Sequence, residues 1–322
     1  MRNNLSRLKS NRLLRDMCSE TEFNLSQLIQ PLFVCESLSE EDPLLYLPGN
    51  SRHTKESLLR QIDRDVEKGV KNFILFCIPG EKKEKDFSFE FAMSVIRNLR
   101  KRYLHDIFLW VDTCLCSYTK NGHCGLFKDE QYIDQDKSLK ELSHAALSYA
   151  QSGACGIAPS DMMDGRTKRI REDLDSQGFE SVPIMSYSTK FASHFYGPFR
   201  EAADSSPTFG DRRQYQLDVR DRSQAILASN RCAMEGADFL MVKPGLTSLD
   251  LIRPIFERTG RKVGAYQVSG EYAGLNLLAK EGLIHFGSGL VESWQVYKRA
   301  GAQFIITYGA RYAKELFNGI EF

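Results

Sequence analysis

The segment "DRSQAILASNRCAMEGADFLMVK" (residues 221–243) contains the pattern that decides the fold. Residues 221–236 form an amphipathic, helix-like stretch that ends at Gly236, a residue type common just after helices. Residues 237–243 form a short, almost wholly apolar run ending at Lys243, which is typical of a buried strand. A helix followed directly by a buried strand predicts one unit of an α/β fold.

This unit recurs along the chain. Strand-like runs alternate with helical patterns at residues 29–36, 72–78, 106–113, 153–160, 182–188, 237–243, 261–270 and 302–309. Strands without a polar face indicate a parallel sheet covered by helices. A count of eight favours a closed (β/α)8 TIM barrel over an open sheet, and no G-x-G-x-x-G motif follows the first strand. We therefore predict an α/β TIM-barrel catalytic domain at residues 25–322, with an extended N-terminal arm at residues 1–24 that is either disordered or makes oligomer contacts by packing on another subunit.

Composition excludes several classes of protein. Lys and Arg total 43 against 42 Asp and Glu, so there is no basic surplus for binding nucleic acid. We also expect no membrane partner, because no apolar window is long enough for a membrane helix. The eight cysteines and the lack of a secretory signal favour the cytoplasm, although the basic N-terminus leaves a transit peptide open.

Reactive residues fall at the predicted carboxyl ends of the strands, where TIM barrels carry their chemistry. Lys243 follows an apolar run, and Lys190 ends the preceding strand. A buried lysine beside a second ammonium has a lowered pKa and can form a Schiff base. The alternative is that each lysine pairs with a carboxylate or reaches solvent. The other polar residues at these ends are Asp112, Ser160, Asp161, Ser269 and Tyr308.

The stretch "VDTCLCSYTKNGHCG" (residues 111–125) places Cys114, Cys116 and Cys124 in one loop. In a reducing compartment, clustered thiols bind metal more often than they form disulfides. Three protein ligands leave a position open for water or substrate, which is the pattern of catalytic zinc. His123 as a fourth ligand would make the site structural instead, and the spacing alone leaves that choice open, with a redox pair as a further alternative.

Residues 190–222 form a long connection that is rich in Gly, Pro, Arg and aromatic residues, so we predict an active-site lid. Arg200 and Arg212 are candidates for binding a substrate carboxylate through paired hydrogen bonds, or they are surface arginines. Aromatic residues that would exclude water are Phe195, Tyr196 and Phe199.

Five motifs resemble the porphobilinogen synthase (5-aminolevulinate dehydratase) family. They are "APSDMMDGR" (158–166), "YSTKFASHFYGPFREAADSSPTFGDRRQYQ" (187–216), "EGADFLMVKPG" (235–245), "YQVSGEY" (266–272) and "IITY" (305–308). The resemblance runs in register from residue 29 to the C-terminus. It implies a TIM-barrel lyase (hydro-lyase) of tetrapyrrole (heme) biosynthesis that condenses two 5-aminolevulinate molecules to porphobilinogen and releases two waters.

The resemblance also implies roles for individual residues. Lys243 would form a Schiff base with the substrate in one subsite, the P site, and Lys190 with the substrate in the other, the A site. The A-site carboxylate would be held by Arg200, Arg212 and Gln216, and the P-site carboxylate by Ser269 and Tyr308. Asp112, Ser160 and Asp161 would orient the P-site substrate, while Tyr196, Phe199 and Tyr266 would line the pocket.

The zinc-type branch of this family uses three cysteines, so Cys114, Cys116 and Cys124 would hold one catalytic Zn2+ that polarises the A-site substrate. Gln214 stands where some members carry a further cysteine, which argues against a second zinc near the lid. Ala228 replaces a glutamate that binds allosteric Mg2+ in many members. We therefore expect no allosteric Mg2+ and a homo-octamer whose N-terminal arms embrace neighbouring barrels, with Arg231 in place of the metal.

Two alternatives have different requirements. A Schiff-base aldolase on the same barrel needs one lysine and neither the lid arginines nor the cysteines. A zinc-binding redox sensor would use the thiols on an otherwise inert barrel.

Overall fold

The computed structural model of the chain describes residues 4–21, 23–129 and 132–319. Within them the strands are β1 (Leu28–Cys35), β2 (Asp42–Pro43), β3 (Ser51–His53), β4 (Asn72–Ile78), β5 (Phe108–Thr113), β6 (Gly156–Pro159), β7 (Met185–Lys190), β8 (Phe239–Lys243), β9 (Lys262–Tyr266) and β10 (Phe304–Ile306). The helices are α1 (Arg12–Met17), α2 (Lys55–Glu67), α3 (Glu90–Tyr103), α4 (Gln135–Gln151), α5 (Arg166–Ser176), α6 (Gly197–Ala202), α7 (Arg222–Met234), α8 (Leu249–Thr259), α9 (Ser269–Lys280), α10 (Phe286–Arg299) and α11 (Ala313–Gly319).

Eight of the strands form a parallel barrel in the order β6-β5-β4-β1-β10-β9-β8-β7. The two ends of this order meet where Ile157 forms a parallel bridge with Ile184 and donates a hydrogen bond to the carbonyl oxygen of Pro183 at 3.0 Å. The short strands β2 and β3 pair with each other in antiparallel fashion beside β1. The predicted TIM barrel is confirmed, and its eight predicted strands correspond to β1 and β4–β10.

The barrel strands are buried on both faces, as their uniformly apolar sequences require. All eight residues of β1 are buried, for example. The helices cover the outside with one apolar face each, and α2 contributes Leu58 and Ile62. Its start is fixed by a capping box, in which Thr54 and Ser57 each accept a hydrogen bond from the other's backbone N–H.

Two predicted strand ends lie three or more residues too far along the chain. Residues 302–309 were expected to form a strand, but β10 ends at Ile306 and Tyr308 lies beyond it. Residues 261–270 were expected to form a single strand, but β9 ends at Tyr266 and Ser269 is the first residue of α9. The apolar pattern continues through Val268, which is buried although it lies outside the strand. Ser269 therefore enters the site from the amino end of a helix.

The N-terminal arm contacts the barrel mainly near its C-terminal end, at Phe23. Phe23 stacks on Trp294 and Phe317 with ring centroids 5.8 and 4.4 Å apart. Farther out, α1 has no buried residue, and the side chains of Leu13 and Met17 are 80% and 76% exposed. None of the helices in the described part of the chain is both long enough and apolar enough to cross a membrane.

Candidate active site

Lys190 and Lys243 are register partners at the carboxyl ends of the neighbouring strands β7 and β8. Their side chains are only 5% and 3% exposed. The structure therefore brings the two predicted lysines together at the mouth of the barrel, because adjacent parallel strands end at the same edge.

Aromatic rings surround the Lys243 amine. Its Nζ lies 4.1 Å from the ring centroid of Tyr266 and 4.6 Å from that of Phe199. The rings of Tyr187 and Tyr196 follow at 5.2 and 5.4 Å. Burial lowers the pKa of Lys243 well below its usual value, and the nearby Lys190 lowers it further. A neutral amine in this position is a nucleophile for ketones.

Lys190 has polar neighbours in addition to the Tyr187 ring, whose centroid lies 5.9 Å from its Nζ. Its ammonium donates a hydrogen bond to the carbonyl oxygen of Ser160 and lies close enough to Asp112 to lower the pKa of that carboxyl. Burial outweighs this effect and raises the pKa of Asp112 to about 6. One oxygen of Asp112, Oδ1, is buried without a hydrogen-bond partner in the described residues. The carboxyl is thus placed to exchange a proton or to accept a hydrogen bond from a bound molecule.

Asp161 contacts the loop before α5 and the first residue of that helix, Arg166. Its Oδ1 accepts a hydrogen bond from the backbone N–H of Met163 at 2.7 Å, and Nε of Arg166 lies 3.5 Å from Oδ2. Burial raises the pKa of Asp161 to about 6, although Arg166 opposes the rise. These contacts hold the loop that follows β6 and carries Ser160.

Ser269 and Tyr308 lie on the β9–β10 side of the mouth. The Ser269 hydroxyl accepts a hydrogen bond from the backbone N–H of Phe199 at 3.0 Å and lies 3.3 Å from the carbonyl oxygen of Phe195. The hydroxyls of Tyr308 and Tyr266 are 3.3 Å apart. In this arrangement Ser269 fixes the lid, and the two tyrosines form a polar pair beside the ring cluster around Lys243.

Cys114, Cys116 and Cys124 form one buried cluster, in which the three Sγ atoms lie within 4.8 Å of one another. Hydrogen bonds with the other two thiols lower the pKa of Cys124 well below its usual value, and Arg212 contributes in the same direction. Three converging thiols of this kind are soft ligands that suit zinc. The cluster can therefore hold a metal ion.

His123 does not join this cluster. Its Nδ1 lies 3.0 Å from the hydroxyl of Tyr215, and its Nε2 lies 3.0 Å from the carbonyl oxygen of Phe209. Both ring nitrogens are thus engaged by the lid, which supports three thiols rather than a four-ligand structural site.

The lid is tied to the loop that carries the cysteines. Arg212 donates a hydrogen bond to the carbonyl oxygen of Gly122 at 2.9 Å, and the backbone N–H of Thr208 donates to the carbonyl oxygen of Asn121 at 3.0 Å. The Ser117 hydroxyl adds a hydrogen bond of 2.8 Å to the carbonyl oxygen of residue 203. Lid and cysteine loop therefore form one structural unit.

Polar atoms without partners collect under the lid. Nε of Arg200 and both amide atoms of Gln216 are buried with no hydrogen-bond partner among residues 4–21, 23–129 and 132–319. Burial lowers the pKa of Arg200, and the positive charge of Arg212 lowers it further. Two guanidiniums and a free amide are suited to bind a carboxylate, because leaving such groups buried and unpaired is costly.

Two site residues escaped the sequence analysis. Tyr187 is fully buried between the lysines, and its hydroxyl has no partner in the described part of the chain. Tyr215 joins the lid to the cysteine loop, since its hydroxyl also accepts a hydrogen bond from the backbone N–H of Cys124 at 3.3 Å. The available signals for Tyr187 were its position three residues before Lys190 and its place at the start of the motif at residues 187–216.

The fold and the site define a TIM-barrel enzyme with paired buried lysines and a three-thiol cluster at the barrel mouth. A family model described as Delta-aminolevulinic acid dehydratase matches residues 2–316. The chain belongs to this family.

Curated relatives agree with the family assignment. A Delta-aminolevulinic acid dehydratase of Helicobacter pylori is 42% identical over 98% of this chain and 97% of its own length. The enzyme of Archaeoglobus fulgidus is also 42% identical, over 92% of this chain and 93% of its own length.

Solved structures agree as well. The delta-aminolevulinic acid dehydratase (porphobilinogen synthase) of Toxoplasma gondii, in complex with the reaction product porphobilinogen, superimposes with a TM-score of 0.92. It is 35% identical, and the match covers 98% of this chain and 91% of that one. An aldolase, QR15, matches with a TM-score of 0.52 at 12% identity, which reflects the fold alone. The chain is thus a lyase that condenses and dehydrates aminolevulinate, a step of heme biosynthesis.

Proposed function

We propose that the reaction proceeds through two lysine Schiff bases, with Lys243 binding the P-site aminolevulinate and Lys190 the A-site molecule. The observation that carries this proposal is the side-by-side placement of two buried lysines in unlike surroundings. Each amine attacks a substrate ketone, and each carbonyl oxygen leaves as water. The resulting iminium acts as an electron sink that eases proton removal from the neighbouring carbon.

The two substrates are identical, so the protein must hold them differently. Arg200, Arg212 and Gln216 bind the A-site carboxylate beneath the lid. Ser269 and Tyr308 bind the P-site carboxylate. Asp112, Ser160 and Asp161 orient the P-site substrate, while Tyr196, Phe199 and Tyr266 line its pocket and exclude water.

Cys114, Cys116 and Cys124 hold one zinc ion in this proposal. The soft donor set supports zinc over magnesium, and the engagement of His123 elsewhere leaves one coordination position open. When bound there, zinc supplies Lewis acidity that polarises the A-site substrate.

Neither allosteric Mg2+ nor a second zinc belongs to the proposed enzyme. Arg231 pairs with Asp164 at 2.5 Å and lies 3.4 Å from Glu235. A guanidinium already neutralises these carboxylates, and Ala228 adds no ligand.

The assembly we propose is a cytoplasmic homo-octamer in which residues 1–24 of each chain pack on a neighbouring barrel. The exposed apolar side chains of Leu8, Leu13 and Met17 support this role for the arm, since a partner surface would bury them.

Reductive trapping tests the mechanism. Borohydride added with 5-aminolevulinate is expected to leave adducts on both Lys243 and Lys190, located by peptide mass spectrometry, and none on the exposed Lys262. An adduct on one lysine only would match the one-lysine chemistry of an aldolase and contradict the proposal. A complete absence of adducts would contradict Schiff-base catalysis altogether.

A further inference from the structure

Glu271 is a buried carboxylate to which the mechanism above assigns no role. It is the third residue of α9, two positions after Ser269, and is 6% exposed. A buried carboxylate is costly unless each oxygen is hydrogen-bonded, so its contacts call for an explanation.

Each oxygen of Glu271 binds a different chain segment. Oε2 accepts a hydrogen bond from the backbone N–H of Val268 at 2.6 Å, as a glutamate near a helix start commonly does. Oε1 accepts one from the backbone N–H of Leu246 at 2.6 Å, in the loop that follows β8. The carboxylate therefore joins the start of α9, which carries Ser269, to the loop that continues from Lys243.

The joined segments have little room to shift. The backbone N–H of Gly245 donates to the carbonyl oxygen of Tyr266 at 2.8 Å. A Cβ at Gly245 would lie 2.7 Å from the Tyr297 ring and 2.9 Å from that same carbonyl oxygen. The Tyr297 hydroxyl in turn lies 3.5 Å from Oε2 of Glu271.

The backbone of Lys243 is held from the opposite side as well. Its carbonyl oxygen accepts hydrogen bonds from the backbone N–H of Phe191 at 3.0 Å and from the Tyr196 hydroxyl at 3.1 Å. Glu271 supplies a further restraint, three residues farther along at Leu246. Burial raises the pKa of Glu271 to about 7, although its backbone hydrogen bonds oppose the rise. Both oxygens accept hydrogen bonds, which favours the ionised form.

We propose that Glu271 is a positioning residue that fixes the Lys243 amine relative to the Ser269 hydroxyl by bridging Leu246 and Val268. A substrate held at its carboxylate by Ser269 then presents its ketone to Lys243 at a set distance. This inference rests on the proposed Schiff base at Lys243 and adds the residue that sets its geometry.

The test uses Glu271→Gln in the full-length enzyme, with Glu281→Gln at the exposed end of α9 as a matched control. Glutamine keeps the shape but offers one acceptor atom, so one backbone N–H loses its partner. The rate of borohydride-trapped adduct formation at Lys243 is expected to fall roughly 10- to 100-fold, together with kcat/KM. The control is expected to behave as the wild type, and thermal unfolding of each variant reports any loss of stability separately.

A lower unfolding temperature with an unchanged trapping rate at Lys243 would overturn the inference, because Glu271 would then be structural only. If Glu271→Gln does not fold, Glu271→Asp replaces it. Aspartate retains the charge but is too short to bridge both segments, so the same selective loss is expected, and wild-type trapping would overturn the inference. A wild-type enzyme that forms no adduct at Lys243 would instead overturn the Schiff-base mechanism on which the inference rests.

Discussion

The side chains of Lys190 and Lys243 lie at neighbouring strand ends but have different surroundings. Lys243 faces four aromatic rings, whereas Lys190 donates a hydrogen bond to Ser160 and lies near Asp112. The apolar surroundings of Lys243 favour a neutral amine. In the proposed mechanism, the two identical substrates are therefore bound differently, because the two lysines have different neighbouring residues.

The same contrast extends to the polar groups around each lysine. On the side of Lys243, Ser269 and Tyr308 already have hydrogen-bond partners. On the side of Lys190 and the lid, Arg200 and Gln216 present buried atoms without one within the described residues. Binding of an anionic group would therefore stabilise the lid side more, because it would supply hydrogen-bond partners that are missing there. On the Lys243 side, the polar groups already have partners before any ligand binds.

Removing either lysine should produce the largest effect. Lys243→Ala is expected to lower the rate of porphobilinogen formation by at least about 10⁴-fold, because it deletes a nucleophile. Lys190→Ala should be similarly inactive but should still form the adduct on Lys243, which measures the asymmetry of the pair. Lys262→Ala is the exposed control. Full turnover by Lys190→Ala would show that one lysine suffices.

Metal removal should produce the second-largest effect on activity. Chelation is expected to remove about one zinc per chain, with activity lost and then regained on adding zinc back. Cys124→Ser should lower zinc content measured by metal analysis, whereas Cys232→Ser, buried elsewhere, should not. Full activity in enzyme shown to be metal-free would contradict the zinc assignment.

A substitution under the lid should have a smaller effect. Arg212→Lys is expected to raise KM roughly 10- to 100-fold, because one charged hydrogen-bonding group no longer fits the carboxylate. The neighbouring Arg213, which is exposed, gives the control Arg213→Lys. Equal kinetic constants for the two variants would place the carboxylate site elsewhere.

The depressed pKa of Lys243 predicts the pH dependence of trapping. The neutral amine is present above the lowered pKa, so the trapping rate should be level there and fall about tenfold per pH unit below it. Stability should fall as the pH drops from the ordinary lysine pKa toward the lowered one, because in that range the unfolded chain binds the proton and the folded protein does not, and it should be level at lower pH. A trapping rate that rises steadily toward the ordinary lysine pKa would indicate an exposed amine.

The smallest expected effect is that of magnesium. Added Mg2+ should leave the activity of zinc-loaded enzyme unchanged, since Arg231 already pairs with Asp164. A clear rise in activity would contradict this prediction. The variant Arg231→Ala tests whether the Arg231–Asp164 pair is the reason that Mg2+ has no effect.

Strand periodicity was sufficient to place Lys190 and Lys243 near each other, because the carboxyl ends of adjacent parallel strands lie at the same edge of the barrel. It failed at Ser269, where an apolar run continues into the start of a helix. The role of His123 could not be predicted from the sequence either, since it depends on a contact with Tyr215, which lies 92 positions away in the chain. Tyr187 was missed although it begins a quoted motif, because its contacts with the two lysines come from packing.

The hydrogen bonds that join the lid to the cysteine loop have an energetic consequence. Opening the lid to admit substrate must break the contacts of Arg212 and Thr208 with the loop that carries the thiols. Metal affinity and lid closure are then thermodynamically linked, and linkage is reciprocal. In the proposed zinc enzyme, a ligand that favours the closed lid would strengthen zinc binding, and zinc would dissociate most readily from the open state through which product leaves.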